Sequence, residues 1–146
     1  MTKQEFMAMS LPYGLKFILN ESMNVRVCTE ICASTKHYVG HVREHGVVFN
    51  IDFIKPIVRP ISDISIEIEH RGEKLIPITK ILEQSCFDVS KMTYMEQCSY
   101  IKGFIDPLEL LVLQDAILLL KWNFDIAGLI DKGEAIDYHT LEGFSF

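Results

Sequence analysis

The chain has 146 residues, of which 49% are hydrophobic and 23% charged, an ordinary globular balance that excludes the low-hydrophobicity, high-charge class of disordered proteins. Its 14 Lys and Arg against 20 Asp and Glu leave a net charge of -6; without a basic excess to neutralise phosphates, nonspecific nucleic-acid binding is not expected. The acidic residues are spread along the chain rather than massed in one run, which argues against a protein that imitates DNA.

Thr2 and Glu5 stand at capping-box spacing and predict a short N-terminal helix over Lys3–Met9, stopped by Pro12 and Gly14. Leu15–Leu19 reads as a strand. Val25–Cys32 reads as a second, with Val25, Val27, Thr29 and Ile31 forming its apolar face by period-two alternation. Tyr38–Arg43 and Val47–Phe53 continue an antiparallel meander across the turn Glu44-His45-Gly46.

Pro56 and Pro60 predict an extended segment at a sheet edge, since proline cannot donate to a central ladder. From Ser62, Ile64, Ile66 and Ile68 alternate as a strand would, but Ser62 as N-cap and Ile61, Ile64 and Ile68 at helical spacing favour a turn or two of helix. Arg71-Gly72 turns the chain and Lys74–Ile78 reads as a strand, while Ile81–Tyr100 carries no clear period.

Asp106, Pro107 and Glu109 open the longest predicted element, a helix to about Phe124. One face gathers Leu110, Val112, Leu113, Ala116, Ile117, Leu119, Leu120 and Phe124; Leu111, Leu118 and Trp122 form a second, narrower stripe suited to a helix–helix seam. That stripe is the candidate surface for self-association. The expected fold class is α+β in a single domain: an antiparallel sheet or meander packed against a long C-terminal amphipathic helix, with a short N-terminal helix.

The acid at Glu5 and the lack of a following apolar run argue against an export leader. Leu108–Leu120, the most apolar stretch, is broken by Glu109, Gln114 and Asp115 and is too short to cross a bilayer. A cytoplasmic protein without membrane contact is expected, its four cysteines reduced.

Cys28, Cys32, His37, His41 and His45 recur at intervals of four or five, a spacing that gathers zinc ligands on a helix. On a strand, residues four apart lie ~13 Å from each other, so only neighbouring strands could bring Cys28, Cys32, His37 and His41 together. Asp52, Asp63, Glu67 and Glu69 are the nearest carboxylates for hydrolysis, at spacings that match no metal or acid–base pattern. Gly40, Gly46, Gly72 and Gly103 stand alone, which disfavours a glycine-rich phosphate loop. No metal site and no cofactor are expected.

Three stretches carry a family resemblance: Met7-Ala8-Met9-Ser10-Leu11-Pro12-Tyr13-Gly14-Leu15-Lys16; Lys55-Pro56-Ile57-Val58-Arg59-Pro60-Ile61-Ser62-Asp63-Ile64; and Trp122-Asn123-Phe124-Asp125-Ile126-Ala127-Gly128-Leu129-Ile130-Asp131-Lys132-Gly133 with Ala135-Ile136-Asp137. The chain resembles small proteins encoded by phages, prophages and other mobile elements of Bacteroides-type gut bacteria. The resemblance implies a genomic setting and brings no catalytic residue or cofactor with it. In that setting small acidic proteins are often accessory factors, and some block host defence by binding an effector or sequestering a signalling molecule.

The expectation is therefore a non-enzymatic accessory protein, inhibitory to host defence, that binds a protein or small ligand. Arg59, Asp63, Trp122 and Asp125 are its candidate binding residues, being charged or amphipathic groups within those stretches. A small metal- or carboxylate-dependent hydrolase or nuclease, and a structural or assembly protein of a phage particle, are the alternatives.

Overall fold

The computed structural model describes residues 1–19, 24–28, 30–33, 40–44, 47–84, 89–93, 95–97, 99 and 113–146. In chain order its elements are α1 (Lys3–Ser10), β1 (Lys16–Leu19), β2 (Arg26–Val27), β3 (Glu30–Ala33), β4 (Gly40–Glu44), β5 (Val47–Asn50), β6 (Ile54–Val58), β7 (Ile68–His70), β8 (Glu73–Leu75), α2 (Pro77–Gln84), α3 (Leu113–Lys121) and β9 (Ile136–Asp137). The α+β class stands. The 106–112 part of the predicted long helix lies outside the described residues.

Helix α1 starts as its sequence dictates. Thr2 Oγ1 accepts from the Glu5 N–H at 3.2 Å, and the Glu5 carboxylate accepts from the Thr2 N–H at 2.7 Å, meeting two donors that a helix start leaves unpaired. A 3₁₀ turn over Leu11–Tyr13 follows, closed by Gly14 at φ 80°, a left-handed conformation glycine adopts without steric cost. A Cβ at Gly14 would also stand 2.9 Å from an Arg71 amino group.

The main sheet has the order β2-β1-β6-β9. Its first three strands are antiparallel neighbours, and β9 joins β6 in parallel. Strands β3, β4 and β5 form the expected meander as a separate antiparallel sheet, joined to the first where Phe17 meets Phe49 edge-on at 5.9 Å. Predicted Val25–Cys32 is thus two strands in two sheets. Its polarity is also reversed at the start: Cys28 is buried, while Val25 and Val27 face out. Alternation marks two faces but not which is inside, and here the Cys28 N–H bonds the Leu15 carbonyl at 2.9 Å, turning the thiol inward. Val47–Phe53 likewise ends as a strand at Asn50, whose side chain accepts from the Asp52 N–H and starts a 3₁₀ turn over Ile51–Phe53.

Strand β6 is interior to the sheet, not at its edge. It nonetheless pairs on one side at a time: Ile54, Lys55 and Pro56 face β1, and Ile57 and Val58 face β9. Pro56 sits on the β1 side of that change of partner, so the proline falls outside the stretch paired with β9. The segment after Pro60 is a 3₁₀ helix over Ile61–Ser65 and then strand β7, so each of the competing patterns holds over part of it. Arg71 and Gly72, at φ 54° and 81°, close the β7–β8 hairpin, as a two-residue turn with positive φ at both positions does. The strand predicted over Lys74–Ile78 stops at Leu75 and gives way to α2, whose Ile78, Ile81 and Leu82 are buried at helical spacing. No capping side chain announces α2; the Ile76 carbonyl receives the first N–H groups.

Helix α3 ends at Lys121, before the predicted Phe124. Asn123 has φ 62°, its N–H bonds the Leu120 carbonyl at 3.0 Å and the Phe124 N–H bonds the Leu119 carbonyl at 2.9 Å. These are the paired bonds of a Schellman ending, with asparagine in the left-handed place that glycine usually takes, and Phe124 and Leu119 both belong to the core. Leu119, Leu120 and Phe124 join Phe6, Ile78 and Leu82 in one core, with α1 and α2 both against α3.

Replacing Asn123 by Ala should cost about 1 kcal/mol, because a Cβ residue without a polar side chain disfavours the left-handed region, and lower Tm by about 2–4 °C. Asn123→Gly should leave Tm nearly unchanged. Thermal unfolding of the two variants checks this; equal losses would contradict it.

Candidate functional site

The Schellman ending delivers the chain onto Arg59. The Arg59 N–H bonds the Asn123 carbonyl at 2.7 Å and the Asp125 N–H bonds the Arg59 carbonyl at 2.8 Å, so Arg59 and Phe124 bridge in parallel. This extends the run of β6 past Val58 and buries the Arg59 side chain, which is only 2% exposed. Its Nε donates to the Trp122 carbonyl at 3.2 Å and one terminal nitrogen donates to the Glu69 carbonyl at 2.6 Å. The first of these meets a carbonyl left open at the end of α3, where a cation is also favoured by the helix dipole.

Two rings lie against the guanidinium. Tyr138 and Phe146 have their centroids 4.7 and 4.4 Å from the guanidinium carbon and 5.4 Å from each other, so cation and rings form one three-membered cluster. Burial pushes the Arg59 pKa below its ordinary value, opposed by Tyr138 and Asp63. The Tyr138 hydroxyl is pushed up, first by burial and then by Asp63, while Arg59 acts the other way. Asp63, buried on the 3₁₀ helix after Pro60, meets His139 Nε2 at 2.7 Å, and the His139 ring packs on Tyr138 at 4.0 Å. Phe144 meets Phe146 edge-on at 4.9 Å. Lys16 Nζ lies 5.0 Å over Phe144 and donates to the Ser145 carbonyl at 2.9 Å.

His70 completes the cluster. It closes β7, is 6% exposed, and its ring lies 6.4 Å from that of Phe146. Neither ring nitrogen has a hydrogen-bond partner among the described residues, an expensive state for a buried polar group. Burial, followed by the charges of Arg71, Arg59, Lys121 and Lys16, pushes its pKa from 6.5 to about 4, so the imidazole is neutral at pH 7.

The four residues singled out from sequence are therefore brought together, with unequal duties. Arg59 and Asp63 contribute side chains to the cluster. Trp122 contributes its carbonyl, and its ring belongs to the core. Asp125 closes the next turn, its two carboxylate oxygens accepting from the Leu129 and Ile130 N–H groups, both at 2.8 Å. His70, Tyr138, His139, Phe146 and Lys16 are additions that only the fold makes, since no spacing in the sequence connects them.

The predicted self-association stripe is altered. Trp122 is buried in this chain's own core and Leu118 packs beside it, while Leu111 lies outside the described residues. Leu113 and Ile117, placed on the core face by periodicity, are instead exposed, because the burial of Trp122 and Leu118 rotates α3 relative to that expectation.

Of the Cys and His group, Cys28 is buried, Cys32 and His41 are direct register partners on β3 and β4, and His37 and His45 lie outside the described residues. Among the described residues no three His, Cys, Asp or Glu gather as a metal would require. The candidate carboxylates have separate settings: Glu67 pairs loosely with Lys74 at 3.8 Å, Glu69 is exposed on β7, and Asp52 lies on the 3₁₀ turn after Asn50. No helix among the described residues is long and apolar enough to cross a membrane. The chain matches no protein-family model, no curated protein and no solved structure.

A fold that keeps His70 neutral loses stability as pH falls from 6.5 to about 4, because across that window the unfolded chain takes up a proton that the folded one does not. Above the window this contribution is fully present. Urea unfolding of wild type and His70→Leu across the window should show a shallower fall in the variant; an unchanged slope would contradict the assignment.

Proposed function

We propose that the chain is a non-enzymatic accessory protein of a phage or mobile element, one that acts by binding a protein or a small ligand and so interferes with host defence. The observation that supports this reading is the employment of the Arg59 cluster. Its donors are met by the Trp122 and Glu69 carbonyls, its charge lies beside Asp63 and two rings, and Asp125 is engaged in a turn. What remains is a set of aromatic and cationic surfaces suited to recognition. The mobile-element origin rests on the resemblance of the three stretches quoted above. The reading carries self-association with it, for which α3 presents Leu113 and Ile117.

A hydrolase is the second reading, favoured by one contact. Asp63 holds His139 at 2.7 Å while the imidazole stays half exposed, as a carboxylate does when it orients a general base.

Native mass spectrometry of protein purified from its own host tests the first reading. A mass that includes a bound small molecule, a partner or further copies of the chain is expected. A bare monomer that cleaves a nucleotide or nucleic acid, and loses that activity in His139→Ala, would overturn it in favour of the second.

A further inference from the structure

Among the described residues, the segment Leu141–Phe146 joins no strand or helix where it crosses the Arg59 cluster. Its backbone bonds are local, Leu141 N–H to the Tyr138 carbonyl and Phe144 N–H to the Leu141 carbonyl. Lys16 Nζ on the Ser145 carbonyl adds a long-range tie, and the rings of Phe144 and Phe146 meet the rings of His70 and Tyr138 and the cations of Lys16 and Arg59. Beside it an open cleft of about 470 Å³ is lined by Lys16, Val25 and residues 141–145.

Beneath the segment lies a mismatch. The Phe146 ring is set against the Arg59 guanidinium and beside Tyr138, as a flat base is set against arginine and aromatic groups. That ring lies 6.4 Å from the ring of His70 and, being a hydrocarbon, can hydrogen-bond neither imidazole nitrogen; among the described residues both stay unpartnered in near-complete burial. A ring of similar size with nitrogen or oxygen on its edge would keep the stacking and satisfy the imidazole, which in its neutral form both donates and accepts. The Ser145 carbonyl meanwhile gives the Lys16 ammonium a neutral acceptor where an anionic oxygen would bind more strongly. Arg71 and Lys121 also act on His70, which adds positive charge on that side, while Asp63 lies beside Arg59 and Tyr138 on the other. Among the described residues that line the cleft, Glu142 is the carboxylate, two positions before Phe144.

We propose that Phe144–Phe146 are an internal stand-in for a ligand of the nucleotide class, whose heteroaromatic ring takes the place of Phe146 between Arg59, Tyr138 and His70 and whose anionic group takes the place of the Ser145 carbonyl on Lys16. The proposal rests on the small-ligand form of the binding function given above and adds the site, the ligand chemistry and the strap that competes with it.

Calorimetric titration of the full chain with the four nucleoside 5′-monophosphates, and with ribose 5-phosphate as the ringless control, tests this. Phe146→Ala removes the competing ring and should bind at least one of the four about tenfold more tightly than wild type, since a ring stacked in that place is worth on that order. Adding His70→Phe, which keeps a flat ring without polar edges, should take back much of that gain, and ribose 5-phosphate should bind neither form. Phe146→Leu keeps apolar cover without a stacking face and serves in place of Phe146→Ala if that variant does not fold. Equal affinity in wild type and the Phe146 variant, no binding in either, or equal binding of ribose 5-phosphate would overturn the proposal. None of these would touch binding of a protein partner, which the native mass reads separately.

Discussion

A guanidinium can stay buried only where its donors meet acceptors and its charge meets compensation, and Arg59 satisfies that condition by drawing separate parts of the chain to one point. Its backbone takes the exit of α3, its Nε takes the Trp122 carbonyl, a terminal nitrogen takes the Glu69 carbonyl, and its cationic face takes Tyr138 and Phe146. The sheet, the end of α3, the β7–β8 hairpin and the last residues of the chain are thereby fixed relative to one another. Lysine could not replace it, since the fork of donors and the flat face are both in use.

The same arrangement sets the chemical character of the region. Once the donors of Arg59 are committed to carbonyls, its flat charged face is what remains, and the rings of Tyr138 and Phe146 cover it, as cation–π attraction favours. Asp63 balances the charge while holding His139, so the acid and the base of the region are engaged with each other at 2.7 Å. His70 is the one member whose polar atoms find no partner among the described residues, and it sits where the covering residue is a plain hydrocarbon ring.

Legibility in the sequence followed locality. The Thr2–Glu5 box, strand β1 and the β3–β5 meander depend on neighbours in the chain and were readable. Helix α2 was not, because its start is capped by a backbone carbonyl at Ile76 with no Ser, Thr or Asp to mark it. The end of α3 was misplaced because apolar spacing continues through Phe124, while the stop is set by the left-handed backbone at Asn123. Arg59 and Asp63 could be singled out as charged groups within the stretches that carry the resemblance. Their partners could not: His139 meets Asp63 across 76 positions and Trp122 meets Arg59 across 63, distances over which pattern carries no information. Valines 25 and 27 show the same limit, since a period of two leaves open which face is buried.

The burial and fixing of Arg59 are the claim on which the rest depends, and hydrogen exchange at arginine side chains reads them directly. The chain has four arginines, Arg26, Arg43, Arg59 and Arg71, so their Nε–H signals can be separated by NMR and assigned by substitution. A slowly exchanging, well-dispersed Nε–H for Arg59 is expected, since it donates to the Trp122 carbonyl out of contact with water. Exchange at the rate of an exposed arginine would contradict a buried anchor and, with it, the organisation of the site around that residue.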